Sequence, residues 1–153
     1  MDRTKTARRG IPREDIVVAA RAWIGTPYQH QASLKGLGCD CLGLLRGVWR
    51  TLYGAEPAAL EPYSPAWAEL AAGDPLLDAA SRYLVERPGQ DIRPGAVLVF
   101  RWRDHLPAKH CGIATGPTRF IHAHDGASVA EVTMVPGWRR RIVGVFDFPG
   151  VVD

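Results

Sequence analysis

The sequence contains no asparagine, only three cysteines, and no apolar run close to the ~18 residues of a membrane-spanning helix. The absence of asparagine excludes a Cys-His-Asn catalytic triad. An odd number of cysteines argues against a disulfide framework, so Cys39, Cys41 and Cys111 are expected to be thiols. The basic N-terminal stretch MDRTKTARRGIPRED is not followed by an apolar segment. We therefore expect no secretory signal peptide and synthesis in the cytoplasm.

The chain has enough apolar residues for one folded domain. Of its 153 residues, 46% are hydrophobic and 23% are charged, which is close to the average for globular domains. We expect a basic N-terminal arm at residues 1–11 and a single domain at residues 12–153. The net charge is +3, but no basic stripe alternates with exposed aromatic residues. We therefore expect no specific nucleic acid as a partner.

The spacing of apolar residues predicts helices in the first half of the chain and strands in the second. One helix begins near Pro12 and ends by Gly25, and another begins near Cys41 and ends at Gly54. Two short helices near 65–72 and 75–86 could form a covering insertion, or lid, over a cleft. Strands are predicted at residues 96–102, 111–115, 119–123, 129–134 and 142–148. This order indicates an α+β domain with an antiparallel sheet.

Cys41 is the strongest candidate for a reactive residue. It follows a glycine-containing loop and begins a predicted helix, where backbone N–H groups and the helix dipole stabilise a thiolate. The same N–H groups could hold the oxyanion that forms when the thiolate attacks a carbonyl. The alternative is a small buried apolar residue, which is the usual state of a cysteine.

A nucleophilic cysteine needs a base, and histidine is the usual one. His110 and His122 lie on consecutive predicted strands, with a turn at Gly116 and Pro117 between them. A hairpin that bends at residue 116 places the two histidines nearly opposite each other on one sheet face. One imidazole could then orient the other, as in a catalytic triad. Alternatively, each histidine is a polar residue of the core.

No reactive role is expected for the other two cysteines. Alternation along the strand puts Cys111 on the opposite face from His110 and in the core, and Cys39 is structural or incidental. Together with Cys41 and His110 these residues offer soft metal ligands, but the Cys and His spacings of zinc sites are absent. A phosphate-binding glycine loop and a Gly-x-Ser-x-Gly motif are also absent. We therefore expect no metal and no cofactor.

No catalytic role is predicted for two other histidines. His124 shares the sheet face of His122 but lies one step further out, so we expect an exposed polar side chain. His105 belongs to the loop at 103–109 and could flank the mouth of a cleft.

Four motifs, in order along the chain, resemble those of the NlpC-type cell-wall cysteine peptidases, a papain-like group that cleaves the stem peptides of bacterial peptidoglycan. They are Gly25-Thr26-Pro27-Tyr28, Asp40-Cys41-Leu42-Gly43-Leu44, His110-Cys111-Gly112-Ile113 and Ile121-His122-Ala123. The corresponding family motifs are Gly-x-Pro-Tyr, Asp-Cys-Ser-Gly-Leu, His-Val/Ala-Gly-Ile and a third motif with a polar residue that orients the base. The resemblance covers roughly residues 12–148. It implies a papain-like fold with N-terminal helices packed on a C-terminal antiparallel sheet.

The resemblance also implies roles for five residues. Cys41 would be the nucleophile, His110 the general base, and His122 the residue that orients His110. Tyr28 would lie beside the thiol and help the backbone N–H of Cys41 to hold the oxyanion. Asp40 would line the substrate cleft, near a free amine of the stem peptide. On local grounds alone, Tyr28 could be a packing residue of its loop and Asp40 a helix N-cap.

The departures from the family pattern bear on substrate preference more than on the chemistry. Leu42 replaces the serine that follows the nucleophile, His30 and Gln31 replace an aromatic residue and a glycine, and Ala96 replaces the aspartate of a Pro-Gly-Asp motif. These changes and the closing stretch 138–149 resemble the phage-type branch of the family, which includes the peptidases of gene transfer agents.

The resemblance therefore predicts a cysteine endopeptidase that hydrolyses peptidoglycan stem peptides and favours the bond between D-γ-glutamyl and diaminopimelate. Assembled with tail-tip or baseplate proteins into a phage-like tail particle, it would open the recipient cell wall locally for DNA entry. Two alternatives stay open. One is a catalytically silent tail component that binds the wall or its neighbours. The other is a Cys-His amidase or acyltransferase that acts on another amide.

Overall fold

The computed structural model describes residues 10–57, 73–89 and 91–153. Its helices are α1 (Arg13–Arg21), α2 (Cys41–Tyr53), α3 (Pro75–Tyr83) and α4 (Pro136–Arg139). Its strands are β1 (Ile11–Pro12), β2 (Ser33–Leu34), β3 (Gly38–Cys39), β4 (Val85–Glu86), β5 (Val97–Phe100), β6 (His110–Gly116), β7 (Arg119–His122), β8 (Ala130–Thr133), β9 (Ile142–Asp147) and β10 (Val151–Val152). The predicted helix near 65–72 and residues 1–9 of the predicted arm lie outside the described residues.

Six strands form an antiparallel sheet in the order β4-β9-β5-β6-β7-β8. Strands β5 to β8 follow one another as neighbours, and β9 returns to pair with the free side of β5. Each of the five predicted strands is present, with ends within two residues of the predicted ones. The sheet and the helices that precede it confirm the predicted α+β class.

Helices α1 and α2 cover one face of the sheet. Their inward side chains recur at three- and four-residue spacing and are buried against the sheet's own apolar residues. The core between them contains Ile16, Ala20, Trp23, Leu44, Val48, Val97, Val99, Ile113 and Ile121. This packing holds the first residue of α2 over the middle of the sheet, near the start of β6.

Helix α1 ends earlier than the sequence predicts. Its last residue is Arg21, and the chain continues in tight turns in which Trp23 N–H donates to the Ala20 carbonyl and Ile24 N–H to the Arg21 carbonyl. These bonds span three residues instead of four, so the chain turns before Gly25, the predicted stop. Pro12 precedes the helix in an extended conformation.

The other face of the sheet carries a second core, over which α4 lies. Its buried members are Ile92, Ala96, Leu98, Phe100, Ala114, Phe120, Met134, Ile142 and Val145. Trp138 of α4 packs against this cluster. Helix α4 was not predicted, because a four-residue helix has too few turns to show a periodic pattern of apolar residues.

Short strand pairs fix the loops around the sheet. Strands β1 and β10 pair in parallel, and Ile11, which lies within the predicted arm, is buried opposite Val151. Strands β2 and β3 form a small antiparallel pair just before α2, and Tyr28 forms an isolated bridge with Cys39 of β3. Over residues 10–57, 73–89 and 91–153, none of the helices is long and apolar enough to cross a membrane.

Candidate active site

Cys41 is the first residue of α2, and the residue before it caps the helix. One carboxylate oxygen of Asp40 accepts a hydrogen bond from the backbone N–H of Gly43 at 2.7 Å. The helix therefore begins at a fixed point, and the half-buried Cys41 side chain lies at the positive end of the helix dipole. This is a position that favours a thiolate.

Asp40 also holds the preceding loop against the helix. Its second oxygen accepts from the backbone N–H of Gln31 at 2.8 Å and lies 3.8 Å from Nδ1 of His30. The Asp40 side chain is 4% exposed, so the structure gives it the N-cap role that its residue type favours. A Cβ on Gly43 would lie 1.9 Å from the carbonyl oxygen of Ala32, which explains why this position of the motif is glycine.

The Cys41 thiol has hydrogen-bonding partners that stabilise its ionised form. Hydrogen bonds with Cys111 and His110 lower the pKa of Cys41 well below its ordinary value, although burial opposes the shift. The sulfur also lies 3.9 Å from the carbonyl oxygen of Lys109. Cys41 thus combines three features of a reactive thiol: a helix N-terminus, a histidine neighbour and partial exposure.

Cys111 is buried, as expected, but it also belongs to the site. Its side chain points to the face covered by α2, where it contacts the Cys41 thiol, and this contact raises the pKa of Cys111 well above its ordinary value. The expectation of a core residue on the face opposite His110 is confirmed, and the contact with the Cys41 thiol is an addition to it. The cause is the position of α2, whose first turn lies directly over the start of β6.

His110 and His122 are joined by a hydrogen bond, with 2.8 Å between Nε2 of His110 and Nδ1 of His122. Both side chains are buried. The bond leaves Nδ1 of His110 as the ring nitrogen for Cys41. Burial and the nearby His110 charge lower the pKa of His122 to about 3, so His122 is a neutral imidazole at neutral pH.

The two histidines are diagonal neighbours, not opposite ones, so the predicted hairpin register is wrong by two residues. Ile113 pairs with Ile121, which aligns Gly112 with His122, and the register shifts between Ala114 and Gly116 near the turn. A shift of two residues keeps the same face, which is why His110 and His122 still meet. A Cβ on Gly112 would lie 3.2 Å from Cβ of His122, so a side chain at position 112 would crowd the contact between the two histidines.

Two tryptophans that the sequence analysis did not assign to the site flank His110. The ring of Trp102 stacks on that of His110 with centroids 5.3 Å apart and an interplanar angle of 22°. Trp138 of α4 lies 5.6 Å from the same ring. These side chains restrict the imidazole to one orientation. No local motif identifies either tryptophan as a site residue. Trp102 lies in the loop after β5, and Trp138 belongs to α4, a helix that was not predicted.

His124 is half-buried, so the prediction of an exposed side chain is wrong. Its ring is parallel to that of His122, with centroids 5.6 Å apart and 10° between planes, and it lies 5.5 Å from the ring of His110. Trp102 and Trp138 also contact it. One ring nitrogen from each of His110, His122 and His124 lies within 4.8 Å of the others.

Tyr28 lies near enough to Cys41 for the two groups to interact electrostatically. Its bridge with Cys39 places it next to the start of α2, and it is half-buried. Burial, with the nearby Cys41 and Asp40 charges, raises the pKa of Tyr28 above its ordinary value. The phenol therefore keeps its proton and can donate a hydrogen bond. The structure brings together all five predicted site residues, whereas His105 is exposed in its loop.

Residues 25–147 match the NlpC/P60 family. Over 136 residues the chain is 28% identical to the gamma-DL-glutamyl hydrolase of Bacillus subtilis, which corresponds to 87% of this chain and 29% of that protein. The chain therefore spans less than a third of this curated relative.

Solved structures have the same fold. An NlpC/P60 family protein from Bacillus cereus superposes with a TM-score of 0.64 at 17% identity, covering 91% of this chain and 41% of that one. The NlpC/p60 domain of the peptidoglycan hydrolase SagA gives a TM-score of 0.57 at 22% identity, covering 89% of this chain and 98% of that one. These similarities confirm the predicted papain-like fold.

Proposed function

Because the chain belongs to the NlpC/P60 family, we propose that it is a cysteine peptidase that hydrolyses peptidoglycan stem peptides. One observation carries the proposal: His110 lowers the pKa of the neighbouring Cys41 thiol, and its ring is hydrogen-bonded to that of His122 at 2.8 Å. A nucleophile, a base and a third group that orients the base are the parts that acyl transfer requires.

The reaction would begin from a thiolate on Cys41 and an imidazolium on His110. The thiolate attacks the peptide carbonyl, and the oxyanion is held by N–H groups at the start of α2 together with the Tyr28 hydroxyl. As the C–N bond breaks, His110 gives its Nδ1 proton to the leaving amine. His110 then takes a proton from water, which attacks the acyl-enzyme and releases Cys41.

His122 would act as a positioning residue. In the imidazolium form, Nε2–H of His110 donates to Nδ1 of His122, which is neutral because of its lowered pKa. This bond directs Nδ1 of His110 toward Cys41 and disperses the positive charge that forms during catalysis.

The substrate bond is proposed to be the one between D-γ-glutamyl and diaminopimelate. The Bacillus subtilis relative is named as a gamma-DL-glutamyl hydrolase, and thiolate chemistry at a γ-glutamyl carbonyl is the same as at any other amide. Asp40 would contribute its negative charge near the free amine of the stem peptide, although both of its oxygens already accept backbone hydrogen bonds.

The biological setting we propose is a phage-like tail or gene-transfer-agent particle, in which the peptidase opens the recipient wall with tail-tip or baseplate proteins as neighbours. This part depends on the motif departures at His30, Gln31, Leu42 and Ala96. Finding the chain in purified particles by mass spectrometry would support it, and its consistent absence from them would count against it.

The activity is tested by incubating purified sacculi with the wild type, Cys41→Ala and Cys39→Ala under reducing conditions with a chelator. We expect stem-peptide fragments, identified by mass spectrometry, from the wild type and from the Cys39→Ala control, but not from Cys41→Ala. Equal fragments from Cys41→Ala would remove Cys41 as the nucleophile. No fragments from any folded variant would favour a silent wall-binding component, and cleavage of other amides only would favour an amidase or acyltransferase.

A further inference from the structure

His124 is an imidazole that the proposed reaction does not use. Cys41, His110 and His122 already supply the nucleophile, the base and the positioning group, yet a third histidine packs against both imidazoles. It is half-buried and held between Trp102 and Trp138, so its ring has a fixed place in the site. A function of His124 would therefore involve the imidazoles of His110 and His122 as well.

The three rings present nitrogens at a spacing close to that of a metal site. One ring nitrogen of each residue lies within 4.8 Å of the others, and Nε2 of His110 is 2.8 Å from Nδ1 of His122. A tetrahedral ion with bonds of about 2.0–2.1 Å to imidazole requires nitrogens roughly 3.3 Å apart. Small rotations of the three rings would bring their nitrogens to this separation.

From this cluster we propose that His110, His122 and His124 form a binding site for a divalent transition-metal ion of the zinc class. Three histidines with water at the fourth position are a known zinc donor set, and imidazole suits zinc, copper and nickel. The expectation of no metal rested on local Cys and His spacings, centred on the cysteines and His110, whereas this cluster forms across a hairpin and the segment that follows it.

The electrostatics of the cluster favour a cation. The exposed carboxylate of Asp125 interacts electrostatically with His124 and adds negative charge beside it.

Occupancy would switch off the proposed peptidase. A metal bound to His110 takes the lone pair that the base needs and breaks its hydrogen bond with His122, so proton transfer to and from Cys41 stops. This consequence depends on the proposed function, whereas the binding itself does not.

Binding is tested by titrating Zn²⁺ into chelator-treated protein by calorimetry. We expect one ion per chain in the wild type, in Cys41→Ala and in the control His105→Gln, whose histidine is exposed. In His124→Gln, with an unchanged circular dichroism spectrum, the affinity should fall at least about tenfold. Equal affinity in His124→Gln and the wild type, or no binding by the wild type, would overturn the proposal.

A second measurement needs no variant. In the NMR spectrum of the wild type, Zn²⁺ should shift the imidazole nitrogen resonances of His110, His122 and His124 and leave those of His30 and His105 in place. Shifts confined to His30 or His105 would contradict the site.

Inhibition is measured separately, as the ratio of stem-peptide hydrolysis with and without saturating Zn²⁺ for each protein. We expect a strong loss in the wild type and a smaller one in His124→Gln. Full hydrolysis by zinc-saturated wild type would overturn the inhibitory role while leaving the binding site intact. If no hydrolysis is found at all, the calorimetric result still decides whether the metal site exists.

Discussion

The surroundings of the Cys41 thiol come from two different elements. The helix N-terminus comes from α2, whereas the hydrogen bonds that lower the thiol pKa come from Cys111 and His110 of β6. The residue after the base is thus a second thiol that stabilises the first. This follows from α2 lying over the start of β6, and it can be tested directly.

Alkylation of Cys41 by iodoacetamide in chelator-containing buffer should reach half its maximal rate well below pH 9.0, the ordinary thiol value. Cys111→Ala removes the neighbour that lowers the pKa of Cys41 most strongly, so its profile should shift to higher pH. Rates are followed by mass spectrometry of the Cys41 peptide. The Cys39→Ala control should keep the wild-type profile, and a Cys111→Ala profile equal to the wild type would show that Cys111 does not stabilise the thiolate.

His122 should affect turnover more than substrate binding, because it acts on the base and not on the peptide. His122→Leu removes the acceptor for Nε2–H of His110, and we expect kcat for a soluble stem peptide to fall by about 100-fold or more with KM little changed. His122→Gln keeps an acceptor oxygen and should recover part of the loss. Equal kcat for the glutamine and leucine variants would argue against a positioning role.

At the scale of elements, Asp40 joins α2 to the loop before it. Both of its oxygens accept backbone N–H groups, from Gly43 at 2.7 Å and from Gln31 at 2.8 Å. A charged acceptor with two buried donors is a strong local constraint. Its loss would therefore displace the start of the helix on which Cys41 lies.

We expect Asp40→Ala to lower the free energy of unfolding by about 1–3 kcal/mol, because it leaves one buried and one partly buried N–H group without their acceptor. Asp40→Asn keeps an oxygen for one of them and should lose less. Urea denaturation followed by circular dichroism measures both. Asp104→Ala, at an exposed position, is the matched control. A stability of Asp40→Ala equal to that of this control would contradict the N-cap assignment.

The elements also show which information the sequence carries. The spacing of apolar residues and the glycines and prolines that end helices and strands are local features. They therefore predicted α2 and the five sheet strands closely. Alternation has a period of two, so it put His110 and His122 on one face although the hairpin register differs by two residues. The environments of Cys111 and His124 could not be predicted, because they depend on how α2 and α4 lie over the sheet. These packing contacts join distant parts of the chain.

At the scale of the whole molecule, an ion cluster connects the first helix to the end of the sheet. Arg13, the first residue of α1, donates two hydrogen bonds to Asp147 at the end of β9, at 3.0 and 3.1 Å. Arg87, which follows β4, lies 2.8 Å from the same carboxylate. The Arg13 and Asp147 side chains are only 12% and 14% exposed, so solvent screens this cluster weakly.

Stability at low pH should depend on this cluster. Burial alone would raise the pKa of Asp147, but hydrogen bonds from Arg13 and Arg87 outweigh it and hold the pKa below the ordinary value of 3.8. The unfolded chain therefore takes up this proton first as the pH falls. The contribution of Asp147 is complete well above pH 3.8 and is lost as the pH falls through and below that value.

Asp147→Asn removes the charge while keeping the shape, and it leaves two partly buried guanidinium groups without their carboxylate. At pH 7 we expect its free energy of unfolding to be about 2–3 kcal/mol lower than that of the wild type. The difference should narrow as the pH falls through 3.8 toward the lower pKa of the folded protein, because the unfolded wild type takes up its proton first and the folded carboxyl is neutralised only at still lower pH. Denaturation curves of both proteins from pH 7 to the acid limit test this. A difference that stays constant with pH would mean that Asp147 stabilises the fold through packing and not through its charge.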